Sequence, residues 1–126
     1  MNDAERTATP ADASVDVVDV VMVGGGNMGA ALLGGMIESG AFEPSRMAVV
    51  ELLDARRRQL VEMFPGVAVV DTIPPCHSAV LAVKPPGVAG ATTAAVAAGA
   101  IRILSIAAGV NIATIEEAAG PGVAVV

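Results

Sequence analysis

An α/β fold built on a doubly wound parallel sheet is what this sequence predicts, and three observations predict it. Mainly aliphatic runs, broken only by Asp19, Arg102 and Ser105, recur at short intervals: Val17–Val23, Met47–Val50, Val67–Val70, Ala79–Val83, Ile101–Ile106 and Val123–Val126. Runs with no polar alternation suit strands covered by helices on both faces, the condition of a parallel sheet. Between most of them lie segments of helical pattern with recognisable stops, so strand and helix alternate along the chain. Composition agrees: 54% of the residues are hydrophobic and only 2% aromatic, which leaves Val, Ile, Leu, Ala and Met to build the core.

The first run organises the rest. Asp16–Gly29 reads DVVDVVMVGGGNMG, a β-branched strand that stops on three glycines and passes into an Ala/Leu/Met/Ile helix. Gly24, Gly26 and Gly29 stand at G-x-G-x-x-G spacing, and each has its own task. Gly24 permits a sharp exit from the strand, Gly26 lets backbone approach a pyrophosphate, and Gly29 lets the helix lie close to the strand. The free N–H groups of the helix's first turn, at the positive end of its dipole, then face the phosphates. Glu51 follows Gly29 by 22 residues, at the end of the second apolar run. A glycine-rich turn can serve packing alone, but strand, glycine turn, helix, second strand and acidic residue together are the context in which the motif denotes dinucleotide binding. The expectation is a Rossmann-type NAD(P)-binding domain.

Taken in order, Asn27–Ser39 is helical with Gly40 as its C-cap, and Gly34-Gly35 inside it marks a close-packing contact with the sheet. Ala41–Ser45 is a loop and Arg46–Glu51 the second strand. Asp54 is placed to cap a helix running to about Phe64, stopped by Pro65-Gly66. Val67–Val70 is the third strand, and Asp71–Ser78, with Pro74 and Pro75, is too short and too broken for a crossover helix. Ala79–Val83, the fourth strand, ends on Lys84-Pro85-Pro86. Gly87–Ala98 is a helix with proline near its first turn, and Ile101–Ile106 is the fifth strand. Asn111 or Thr114 caps a helix through Ala119, and Gly120-Pro121-Gly122 separates it from the last strand. With right-handed crossovers the ligand site falls at the carboxyl ends of the strands. Gly24–Gly29, Ala82–Pro86 and Ser105–Gly109 therefore border one crevice.

At 126 residues the chain suits one domain. Residues 1–14 contain charges and no apolar centre, so they read as a short disordered leader rather than a secretory signal, and residues 15–126 as the dinucleotide-binding domain. The net charge of −6, with 13 acidic and 7 basic residues and no basic stripe, argues against nucleic acid. Cys76 stands alone, which excludes an internal disulfide, and the absence of any Cys/His cluster gives no metal site. No apolar stretch has the length of a membrane span. These features fit a soluble, cytoplasmic protein with no membrane partner.

Several side chains carry candidate chemistry. Lys84 is the only lysine, and its place at a strand end favours a cofactor contact over an ordinary solvated amine. Glu51 can accept from a ribose 2′-hydroxyl, which favours NAD, whereas Arg56, Arg57 or Arg58 just beyond can hold the 2′-phosphate of NADP or simply form a solvated helix face. His77 lacks a carboxylate partner in sequence and Cys76 suits packing, so no residue is singled out as catalytic. Ser105 and Asn111 can meet a cofactor amide or cap the next helix. Asp71 and Thr72 border the adenine side or form a plain turn.

Val23–Gly29 with GGGNMG, Ala30–Gly40 with its alanine and leucine run, Leu81–Pro85 as LAVKP and Leu104–Val110 as LSIAAGV together resemble the amino-terminal domain of the pyrroline-5-carboxylate reductases. The likeness runs from about Val17 to Val126. It implies that Gly26, Asn27, Met28 and Gly29 hold the pyrophosphate, that Ala82, Val83, Lys84 and Pro85 line the cofactor, and that Ala107, Ala108 and Gly109 approach the nicotinamide. The implied reaction is hydride transfer from NADPH, or NADH, to the C=N bond of 1-pyrroline-5-carboxylate, giving proline. Leu52-Leu53 after Glu51 departs from the polar or arginine residue often found there in the family. Family members also continue into a helical carboxy-terminal domain that forms homo-oligomers and supplies most of the substrate pocket. This chain is therefore expected to be the cofactor half, with exposed apolar faces and no turnover alone. The alternatives are another nicotinamide-dependent dehydrogenase of the same fold, or a non-catalytic NAD(P)-binding module.

Overall fold

The computed structural model describes residues 16–126; the leader expected over residues 1–14 lies outside them. Strands β1 (Val18–Val23), β2 (Met47–Val50), β3 (Ala68–Val70), β4 (Cys76–Leu81), β5 (Arg102–Ser105) and β6 (Ala124–Val125) form one sheet in the order β3-β2-β1-β4-β5-β6. Every neighbouring pair is parallel. The helices are α1 (Asn27–Glu38), α2 (Asp54–Met63), α3 (Val88–Ala97) and α4 (Ile112–Ala119), with short 3-10 turns at Pro44–Arg46 and Pro85–Gly87. This is the strand order of the doubly wound dinucleotide-binding fold.

Side-chain alternation along the strands divides the core into two layers. Val21, Val23, Ala48, Leu81 and Ile103 meet Val88 and Ala95 of α3 and Ile115 of α4 on one face. Val20, Met22, Met47, Val49 and Val80 meet Ala30 and Leu33 of α1 and Leu60 of α2 on the other. The chain winds one way through β1, α1, β2, α2 and β3, and the opposite way through β4, α3, β5, α4 and β6. Right-handed crossovers in opposite directions put the two helix pairs on opposite faces. The α1 side of β5 and β6 consequently carries no helix among the described residues. Leu104, Ile106 and Val126 are exposed there, beside an apolar trough of about 510 Å³ that Leu32, Met36 and Phe42 also line.

Local chemistry sets the ends. Gly40, one residue past the C-cap Ser39, has φ +77° and donates its N–H to the Ile37 carbonyl at 3.0 Å. Gly66 at φ +92° turns the chain after α2. Asn111 caps α4, its Oδ1 accepting the Thr114 N–H at 2.9 Å. The buried Thr92 hydroxyl donates to the Val88 carbonyl one turn back in α3, at 2.8 Å. At the amino end of the sheet Arg46 donates to Asp19 at 2.9 Å, and this hydrogen bond holds the Asp19 carboxyl below its ordinary range.

One strand differs from the sequence reading by more than a residue at each end, and one expected cap is absent. The fourth strand begins at Cys76 rather than Ala79 and closes at Leu81 rather than Val83. The reason is register: Pro75 accepts the Val18 N–H at 3.0 Å, Cys76 pairs with Val18, and the ladder to β1 starts there. Cys76 is therefore a buried strand residue, and burial pushes its thiol pKa up. Asp54 does not cap α2. It is the first helical residue, Leu53 occupies the cap position, and the Asp54 carboxylate faces Arg57 and Arg58 instead.

Candidate functional site

A crevice of about 940 Å³ opens at the carboxyl ends of β1–β4, where the winding reverses between β1 and β4. Its floor is the glycine turn Gly24–Gly26. One wall is Val50–Leu53 after β2 with Asp71–Ile73 after β3, and the other is Ala82–Lys84 and Gly87 with Ala91, Ala94 and Ala97 of α3.

Each glycine of the motif meets a distinct local condition. Gly24 has φ +108°, its N–H donates to the Val50 carbonyl at 2.9 Å, and a Cβ there would stand 2.5 Å from the Ala82 carbonyl oxygen. A Cβ on Gly29 would collide with the Gly24 carbonyl, so this glycine fixes how closely α1 approaches the turn. Gly26 faces open space and is the N-cap of α1, which no side chain caps and whose first turn holds no acidic residue. A bare cradle and an uncapped helix start that lie together at the floor of a crevice fit a pyrophosphate.

Gly25, between the motif glycines, is held from both sides. Its N–H donates to Glu51 Oε1 at 3.1 Å, and its carbonyl accepts Arg56 Nε at 2.7 Å. Glu51 Oε2 accepts the Leu53 N–H at 3.0 Å. Arg57 Nη1 donates to the Glu51 and Leu52 carbonyls at 2.8 and 2.9 Å and its Nη2 to Asp54 at 3.2 Å, while Arg58 pairs with Asp54. Nothing in the sequence singled out Gly25. Only the three-dimensional approach of β2 and α2 to the turn makes it a junction.

Of the expected cofactor residues, Gly24, Gly26, Glu51, Ala82, Val83 and Lys84 line the crevice. Asn27, Met28 and Gly29 belong to the first turn of α1, Met28 being 64% exposed. Pro85 opens the 3-10 turn beyond Lys84. Ala107, Ala108 and Gly109 form the turn after β5, outside the crevice walls, with Gly109 at φ +81°. Ser105 Oγ accepts the Ala107 N–H at 3.2 Å within that turn, and Asn111 acts as a cap. His77 sits near the start of β4, one residue past the Val18–Cys76 pair and thus at the opposite end of the strands from the crevice. It cannot act there. Asp71 and Thr72 do border the crevice, together with Ile73, Ala91 and Ala94, which carry no sequence signal of their own.

A family model described as NADP oxidoreductase, coenzyme F420-dependent, matches residues 19–118. The chain belongs to that family. The family is one of NADP-dependent oxidoreductases, and the match covers most of the described residues. The Rossmann architecture is shared with a pyrroline-5-carboxylate reductase from Coxiella burnetii, at TM-score 0.74 and 24% identity over 87% of this chain. It is shared too with a Plasmodium falciparum pyrroline carboxylate reductase solved with NADP bound, at TM-score 0.66 and 18% identity over 86% of this chain. The chain spans 43% and 40% of the lengths of those two proteins. No curated protein matches it. No helix of the described residues is long and apolar enough to cross a membrane.

Proposed function

We propose that residues 15–126 form the nicotinamide-dinucleotide-binding domain of a cytoplasmic imine reductase of the pyrroline-5-carboxylate reductase type, acting in proline biosynthesis. The observation that carries the reading is the open Gly26 cradle and uncapped start of α1 at the crevice floor, in the strand order β3-β2-β1-β4-β5-β6. Membership of an NADP oxidoreductase family and the fold shared with two pyrroline-5-carboxylate reductases support it. A bound reduced nicotinamide would supply a hydride to the carbon of the C=N bond of 1-pyrroline-5-carboxylate, the nitrogen taking its proton from solvent to give the amine.

The chain's own residues bind and orient. Backbone N–H groups of Asn27, Met28 and Gly29 at the positive end of α1 meet the pyrophosphate. The wall of Ala82, Val83 and Lys84 directs the nicotinamide end toward the turn Ala107–Gly109. Val83 and the alanines of α3 keep that passage apolar, and the Lys84 ammonium at its rim meets a polar group of the cofactor. Holding donor and acceptor in a fixed geometry is the main contribution such a protein makes. The substrate pocket and the homo-oligomer contacts belong to a second, helical domain.

Titration of the chain with NADH and NADPH, beside a Gly26→Val variant, tests the binding half. Saturable binding that the variant loses is expected; a folded chain that binds neither contradicts the reading. A chimera that joins this chain to the remainder of the Coxiella burnetii reductase tests the chemistry. Reduction of 1-pyrroline-5-carboxylate, and not of a 2-keto acid, is the expected result.

A further inference from the structure

From the residues at the end of β2 we infer that this site selects a dinucleotide with a free 2′-hydroxyl, NAD(H), over its 2′-phosphorylated counterpart, with Glu51 as the specificity-determining residue. The inference rests on the dinucleotide reading above and goes against the NADP in the family's description.

The Glu51 carboxylate is fixed in the crevice wall. One oxygen takes the Gly25 N–H at 3.1 Å and the other the Leu53 N–H at 3.0 Å, so the group is anchored to the glycine turn and to the start of α2 at once. Each carboxylate oxygen has a second lone pair, and a ribose hydroxyl can donate to it. A phosphate brings only acceptors and negative charge to the same place, and a carboxylate tied by two backbone donors cannot swing away. In a low-dielectric crevice that repulsion exceeds its value in bulk water.

A phosphate site needs an arginine to offset this, and the three nearby are committed. Arg56 holds the Gly25 carbonyl at 2.7 Å and the Gln59 side chain at 2.7 Å. Arg57 holds two carbonyls and Asp54. Arg58 is paired with the Asp54 carboxylate. To free Arg56 is to loosen the turn that receives the pyrophosphate, and to free Arg57 is to loosen the start of α2. Leu52 and Leu53, 77% and 68% exposed, stand where a polar phosphate anchor is needed.

Calorimetric titration of the intact chain with NADH and with NADPH tests this. NADH is expected to bind roughly tenfold or more tightly, the scale of a like-charge contact near a protein surface, and added salt should narrow the gap by screening the repulsion. In Glu51→Gln the gap should fall to within about threefold, since the carboxamide removes the charge and retains the length. Arg58→Ala, on the exposed face of α2, should leave the ratio unchanged. It also keeps the test open should Glu51→Gln fold poorly. Equal or tighter binding of NADPH by the wild-type chain overturns the inference while leaving the dinucleotide reading intact. So does a selective loss of NADPH affinity in Arg58→Ala. Binding of neither cofactor by a chain with a native circular dichroism spectrum overturns the dinucleotide reading and this preference with it.

Discussion

A methyl group at position 24 has nowhere to go. Gly24 combines φ +108° with an approach of 2.5 Å from an added Cβ to the Ala82 backbone oxygen, so strain and collision coincide. Gly24→Ala is expected to cost about 2 kcal/mol or more, read as a lowered urea midpoint. Gly26→Ala, in open space, should change the same midpoint by less than about 1 kcal/mol. The two glycines differ in what surrounds them. One shapes the turn and the other faces open space. The same gap separates what was legible at Glu51 from what was not. An acidic residue at the end of the second strand is visible as a ribose candidate, but its grip on Gly25 arises from a contact 26 residues apart, which no local pattern encodes.

At the scale of elements, the strands and helices were legible because aliphatic runs and glycine or proline stops mark them directly. The boundaries that moved did so where pairing, rather than composition, decides. β4 starts at Cys76 because Pro75 and Cys76 lie opposite Val18, a fact about β1 that the Pro74-Pro75 pair conceals. The start of α2 misled for a similar reason. The Leu53 N–H is taken by Glu51 from outside the helix, which leaves Asp54 free to pair with arginines one turn on. At α4 the sequence offered Asn111 or Thr114 as the cap, and Asn111 fills that place. Asn111→Ala removes the acceptor for the Thr114 N–H, and about 1 kcal/mol of stability should go with it, measured by chemical denaturation.

On the scale of the whole molecule, the strand order places every residue that matters to the crevice at one end of the sheet. Neither His77 nor Cys76 belongs there, because both enter β4 at the opposite end. The winding that makes the crevice also leaves the α1 side of β5 and β6 without a helix among the described residues. Ile103 is therefore buried at 1% exposure while its neighbour Leu104 is 41% exposed. The central claim is that the carboxyl-end crevice receives a nicotinamide dinucleotide, and the most direct test is amide NMR of the labelled chain titrated with NADH. Shifts at Gly24–Ala30, Glu51–Leu53, Asp71–Ile73, Ala82–Gly87 and Ala107–Gly109 are predicted, with His77 and its strand-start neighbours unmoved. A titration that leaves the glycine turn unshifted, or that moves the opposite end of the sheet instead, would contradict the account.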